Sequence, residues 1–187
     1  AALARLGRSR MIRVFQRMED GRVAEEVVEG AVRLSRARHG AIIAIEQDVV
    51  LDEYAETGSV VDARVSAEML TTIFTPYSPL HAGAVLIAGD QIRTAGAILP
   101  LTQSSVRDRS LGTRHRAALG LSEETDALVI VVSEETGQIS LAVDGRLERD
   151  VDHERLREVV VGSVSQHDAK LAPELKSPHF ESVGRAR

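Results

Sequence analysis

At 187 residues, with 43% apolar and 27% charged residues, the chain has the composition of one globular domain and not of a disordered segment; its net charge of −5 argues against a broad nucleic-acid-binding surface. Cysteine is absent, which excludes disulfides and thiolate metal sites and fits a reducing, cytoplasmic setting. Aromatic residues make up only 3%, so the core must be built from Val, Leu, Ile and Ala.

The chain opens with "AALARLGRSR", without an initiator Met or a signal-peptide pattern, so 1–19 reads as a linker and the sequence as a piece of something longer. Over 20–38, Val23, Val27, Ala31 and Leu34 recur at helical spacing, with Gly40 placed to stop the helix. "AIIAIE" at 41–46 is a buried strand, and "QDVVLDEYAETGS" at 47–59 a polar, turn-rich connection. Ser66 is placed to cap a second helix with Met69, Leu70, Ile73 and Phe74 on its apolar face; Val65 and Leu70 form a hydrophobic staple, and Pro76 ends the element.

"AVLIAG" at 84–89 and "IRTAGAILPL" at 92–101 flank a turn at Gly89 and Asp90 and read as a strand pair. After the loop "TQSSVRDRSLG", Thr113 is an N-cap for a short helix over 114–119, stopped near Gly120. "ALVIVVS" is the clearest buried strand, and it is far shorter than the roughly 20 residues of a membrane span. "QISLAV" and "RLERD" around Asp144 and Gly145 form a hairpin, and Asp152 opens a last helix ending at Gly162. The fold class is therefore α/β, a mixed central sheet flanked by helices, with a domain over 20–162 and a flexible tail over 163–187.

Three groups carry chemistry. In "LGTRHRAALG", Arg114, His115 and Arg116 fall in the first turn of a helix, where the macrodipole makes cations locally unfavourable by roughly 0.3–1 kcal/mol each. With Thr113 and exposed amides they suit a phosphate; the alternative is a solvated helix end whose arginines pair with Glu123, Glu124 or other surface carboxylates. In "SEETG", Ser133, Glu134 and Glu135 follow the best strand and are placed to face a phosphate or its metal, or else form a plain hairpin loop. In "SPLHAGAVLIAGD", Gly83 and the alanines Ala82 and Ala84 would let a ligand approach the backbone and His81 could ligate a cation; the bland reading is a tight entry into a buried strand. No Walker-type loop, HExxH, GxSxG or complete GxGxxG is present.

Taken together, "PLHAGAVL", "ILPL", "LGTRHRAALGLSEETDALVIVVSEETG" and the "ETG" after Tyr54 resemble the diadenylate cyclase domain, in particular its membrane-tethered bacterial class. The resemblance covers roughly 3–161, and the run 111–137 is its most specific part. It implies condensation of two ATP molecules to cyclic di-AMP with release of two pyrophosphates, dependent on Mg²⁺ or Mn²⁺, in a face-to-face homodimer. It also implies a parent protein held at the membrane by helices upstream of this sequence. On that resemblance Arg114, His115, Arg116 and Thr113 hold phosphates, Ser133 and Glu135 form the phosphate- and metal-facing loop with Glu134 a binding candidate between them, His81 and Glu135 are metal ligands, and Leu99 contacts adenine. Ile98 stands where many relatives carry an aromatic residue. The family's Asp-Gly-Ala is here Ala82-Gly83-Ala84, so the carboxylate that would position metal and activate the attacking hydroxyl is replaced by a methyl. The resemblance therefore implies a domain that binds ATP and turns over weakly or not at all; the alternative is a non-catalytic, adenine-nucleotide-binding regulatory module.

Overall fold

The computed structural model describes residues 21–103 and 111–171. The linker at 1–19, most of the loop before Leu111 and the tail beyond 171 lie outside the described residues. In chain order the elements are α1 (21–37), β1 (Ala41–Ile45), α2 (Asp52–Ala55), β2 (Ser59–Arg64), α3 (Ala67–Ile73), β3 (Ala84–Ala88) and β4 (Gln91–Ala97). There follow α4 (Thr113–Glu124), β5 (Leu128–Val132), β6 (Ile139–Val143), β7 (Arg146–Glu148) and α5 (His153–Leu171).

The strands form one mixed, seven-stranded sheet in the order β2-β4-β3-β1-β5-β6-β7. Among the described strands only β1 and β3 pair in parallel, with Ile43 opposite Val85; β1 and β5 are antiparallel, with Ala41 opposite Val132. The all-apolar strands β1 and β5 sit at the centre because they can be buried on both faces. Polar β2 and three-residue β7 take the edges, where an unpaired backbone is least hazardous on a short or charged strand.

Alternation along the strands sorts the core into two clusters. Ile43, Val85, Ile130 and Leu141 face Leu34 of α1, Leu70 of α3 and Leu156 of α5. Ile42, Leu86, Val129 and Val131 face Ala118 and Leu121 of α4 and Tyr54 of α2. Trimming a wholly buried side chain such as Leu34 or Ile43 to alanine costs about 2–5 kcal/mol.

Several local expectations hold in detail. The Ser66 hydroxyl accepts from the Met69 N–H at 3.1 Å, and Val65 and Leu70 share one cluster. Asp144 and Gly145 both have positive φ, 48° and 69°, as the tight turn between β6 and β7 requires. The Asp152 carboxylate accepts from the Arg155 N–H at 2.8 Å at the start of α5.

Others are corrected. The connection at 47–59 contains α2 and the first residue of β2, a strand the pattern hides: it is mostly exposed, and a bulge between Val60 and Ala63 breaks its period. Gly40 does not terminate α1. Arg38 adopts the left-handed conformation (φ 52°), and the N–H groups of Arg38 and His39 return to the Ser35 and Leu34 carbonyls, a Schellman ending made without glycine.

The cap of α4 is Gly112, with Thr113 as its first residue, and the helix passes through Gly120 to Glu124. A β-carbon at 120 would lie 2.1 Å from the Pro100 carbonyl oxygen. Glycine is there because the incoming chain crosses the helix, with the Thr102 N–H bonded to the Arg116 carbonyl at 3.0 Å and its hydroxyl to Glu123 at 2.6 Å. Gly162 likewise does not stop α5, which continues to Leu171; one helical glycine costs only about 1 kcal/mol.

Candidate functional site

The topology brings three of the sequence features to one edge of the sheet. Because β3 runs parallel to β1 and β5 antiparallel, the turn before β3, Gly40 before β1 and the loop after β5 lie side by side. Two strand spacings separate the outer pair, about 10 Å. The start of α4 lies over this edge: Thr113, Arg114 and His115 line a cavity of about 140 Å³ together with Ser133, Glu134 and Glu135.

At its centre Arg114 Nη1 is 2.6 Å from Glu134 Oε2. The pair lies across Gly40, where a β-carbon would come within 2.6 Å of Nη1 and 2.8 Å of the carboxylate oxygen. Nε of Arg114 is buried and has no hydrogen-bond partner, an unsatisfied donor in an otherwise fixed guanidinium. The loop is held from below: the Ser133 N–H donates to the Gln138 carbonyl at 3.0 Å, and the Ser35 hydroxyl of α1 donates to the Gly137 carbonyl at 2.6 Å.

The Arg-His-Arg trio does not act as three cations aimed at one point. His115 turns inward, is 8% exposed, and has Nε2 3.4 Å from the Ser140 hydroxyl. Burial first, and the charge of Arg149 second, push its pKa below the ordinary 6.5, so it is a neutral wall of the cavity and not a third positive charge. Arg116 is exposed and does not line the cavity. Of the alternative reading, pairing with a surface carboxylate is seen for Arg114, though with neither Glu123 nor Glu124. Arg114 takes Glu134, while Glu123 accepts from Thr102 and Glu124 from the Tyr54 hydroxyl at 2.8 Å. Burial, reinforced by that carboxylate, holds the Tyr54 phenol well above its ordinary pKa.

In the turn before β3, His81 is half-buried and its Nδ1 lies 2.6 Å from the Ser78 carbonyl. The Nδ1–H donates to that oxygen, which leaves the Nε2 lone pair available to a ligand. Ala82 is exposed. Gly83 does not open the backbone to a ligand in the expected way: a β-carbon there would lie 2.3 Å from the Gly96 carbonyl carbon, so strand β4 fills the space. The Ala84 methyl is buried in the α4-facing cluster and offers no ligand surface.

Leu99 is likewise 8% exposed and packed in that cluster, whereas Ile98 beside it is 70% exposed. The Ile98 N–H donates to the Thr57 hydroxyl at 2.8 Å, which gives the "ETG" stretch a role in fixing this rim. Among the described residues, no group of three or more His, Asp or Glu is placed to hold a metal ion. The site residue that sequence reasoning missed is Gly40. Its position just after a helix disguised it as a terminator, and nothing local signals that an arginine 74 positions later packs on it.

The profile described as DisA bacterial checkpoint controller nucleotide-binding, the DAC family, matches residues 28–147. The chain is 42% identical over 172 residues to a diadenylate cyclase of Listeria monocytogenes, covering 90% of this chain and 63% of that protein. It is 42% identical over 162 residues to the cyclic di-AMP synthase CdaA of Bacillus subtilis, covering 85% of this chain and 59% of that one. The chain thus spans less than two thirds of the length of these relatives. Among solved structures it is similar to a double mutant of DacA from Staphylococcus aureus, with a TM-score of 0.75, 41% identity, and coverage of 76% of this chain and 95% of that one. A hypothetical membrane spanning protein from Bacillus cereus gives a TM-score of 0.66 at 45% identity over 68% of this chain and 63% of that one.

Proposed function

The chain belongs to the diadenylate cyclase domain family, and we propose that it binds ATP at the sheet edge as a cyclic di-AMP-forming domain whose turnover is severely reduced by the methyl at Ala82. The observation that carries this reading is the cavity shared by Thr113, Arg114, Ser133 and Glu135, beside a turn whose exposed position 82 holds no acid. Arg114 and the amides at the start of α4 would hold the phosphates; Ser133 adds a hydroxyl and His81 an imidazole nitrogen.

The proposed reaction is an in-line displacement carried out twice. The 3′-oxygen of one ATP forms a bond to the α-phosphorus of the other, the bond from that phosphorus to the bridging oxygen breaks, and pyrophosphate leaves. The hydroxyl proton must go to a base. One chain holds one nucleotide, so ring closure requires two copies face to face. An alanine can neither take the proton nor position a cation, and general acid–base catalysis alone is worth about 10²–10⁴-fold.

Mg²⁺ or Mn²⁺ is the ion the resemblance implies. The described residues of one chain do not assemble a protein cage for it, so an ion here would be held mainly by phosphate oxygens, whose charge it would neutralise.

No described helix is long and apolar enough to cross a membrane. A membrane-held parent, with this domain on the cytoplasmic side, is a further part of the proposal, supported by the name of the Bacillus cereus relative.

The test is incubation with ATP and Mn²⁺ and detection of cyclic di-AMP by mass spectrometry, the unaltered chain against Ala82→Asp. Strong product formation only in the variant is expected; equal rates would sink the proposal. The second reading, a regulatory module that binds adenine nucleotide without catalysis, is favoured by the same bare position. It predicts tight nucleotide binding by calorimetry with Ala82→Asp still inactive.

A further inference from the structure

We infer that Glu134 is not a contact to the nucleotide but an internal occupant of its anion site, seated over Gly40, which a triphosphate must displace before Arg114 can hold it. The inference rests on the reading of Arg114 as the phosphate-holding group.

Four observations lead to it. The first turn of α4 contains no acidic residue of its own, so the helix end and Arg114 would face the cavity as unbalanced positive charge. The Glu134 carboxylate, arriving from the loop after β5, supplies the missing anion at 2.6 Å. The two partners differ in freedom: the Arg114 side chain is 22% exposed and that of Glu134 62%, so the arginine is the fixed half and the glutamate the half that can swing out. One carboxylate also leaves Arg114 Nε buried and unpaired, so the guanidinium has a donor to spare for a ligand with more oxygens.

Gly40 is the positioning residue. It stands between the strand ends that carry the turn and the loop, and any side chain there would strike both members of the pair. The consequence is a threshold for entry. Any phosphate group that must displace the carboxylate binds more weakly by the fraction of molecules in which Arg114 is free, the same factor for each such ligand.

Calorimetry with ATP, AMP and inorganic tripolyphosphate at low salt tests this in the full chain, Glu134→Gln, Arg114→Ala, the double variant and Gly40→Ala. Glu134→Gln should tighten tripolyphosphate binding by about two- to fivefold, the range of an exposed pair, with the gain shrinking as salt is added. Its gain should vanish once Arg114 is alanine. Gly40→Ala should weaken tripolyphosphate binding and diminish the Glu134→Gln gain, a coupling that a generally loosened fold would not produce.

Unchanged or weaker binding in Glu134→Gln, while Arg114→Ala still weakens it, overturns the inference and leaves the nucleotide site standing. Binding that ignores Arg114→Ala removes the phosphate reading itself. Unchanged affinity in Gly40→Ala removes its positioning role.

Discussion

The loop after β5 and the turn before β3 end at the same edge of the sheet, two strands apart, yet they are equipped differently. The first is dense with polar structure: an ion pair seated on Gly40, a neutral buried His115 behind it, and a loop closed on itself at Ser133 and Gln138 and tied to α1. The second carries an imidazole with one nitrogen engaged, an exposed methyl and a glycine filled by a neighbouring strand. Groups for holding an anion and groups for activating a nucleophile sit on separate pieces of chain, so a substitution in one leaves the other's architecture in place.

The comparison breaks most directly at position 82. Ala82→Asp should raise cyclic di-AMP formation by about 10²–10⁴-fold with little change in ATP affinity; a change confined to affinity would mean that the turn belongs to binding as well. Next in size is Arg114→Ala, which removes charge-assisted hydrogen bonds worth about 1.5–3 kcal/mol and should weaken ATP binding by roughly tenfold or more while the melting temperature moves little. Retained affinity would place the phosphates elsewhere.

Gly83→Ala separates fold from site on the turn side. Its β-carbon meets the backbone of Gly96, which cannot swing away, so the expected result is a loss of about 1–3 kcal/mol in thermal or denaturant unfolding. A variant as stable as the parent would show that β4 yields there.

The smallest effect concerns His115. Burial lowers its pKa below 6.5, so the unfolded chain takes up a proton that the folded one resists. Stability should then fall as the pH drops through about 6.5 toward the folded-state value, by at most about 1.4 kcal/mol per pH unit, and be unaffected above about 7. His115→Gln should remove that part of the slope from a plot of melting temperature against pH; superimposable curves would mean that the ring stays accessible to protons when folded.

The central strands were legible because each is a short apolar run, "AIIAI" or "LVIVV", that only a doubly covered position in a sheet can bury. Ser66 and Asp152 were legible because a cap is a local bond between residues three apart. β2 was not, since an exposed edge strand with a bulge has neither alternation nor an apolar run. The phosphate-side residues were recognisable as a motif, but the part each plays was not. Arg114, His115 and Arg116 look alike in a row, and only the helix's orientation over β5 and β6 decides that the first meets Glu134, the second enters the protein and the third stays in solvent.

By itself the sequence determined the strands other than β2, most of the helices, the family and the bare position at Ala82, because all of these depend on residue type and near-neighbour spacing. Only the tertiary structure decided what the glycines at 40, 83 and 120 are for and which charge Arg114 holds. Those depend on atoms brought within van der Waals or ion-pair distance from far along the chain, and no local pattern records such clearances.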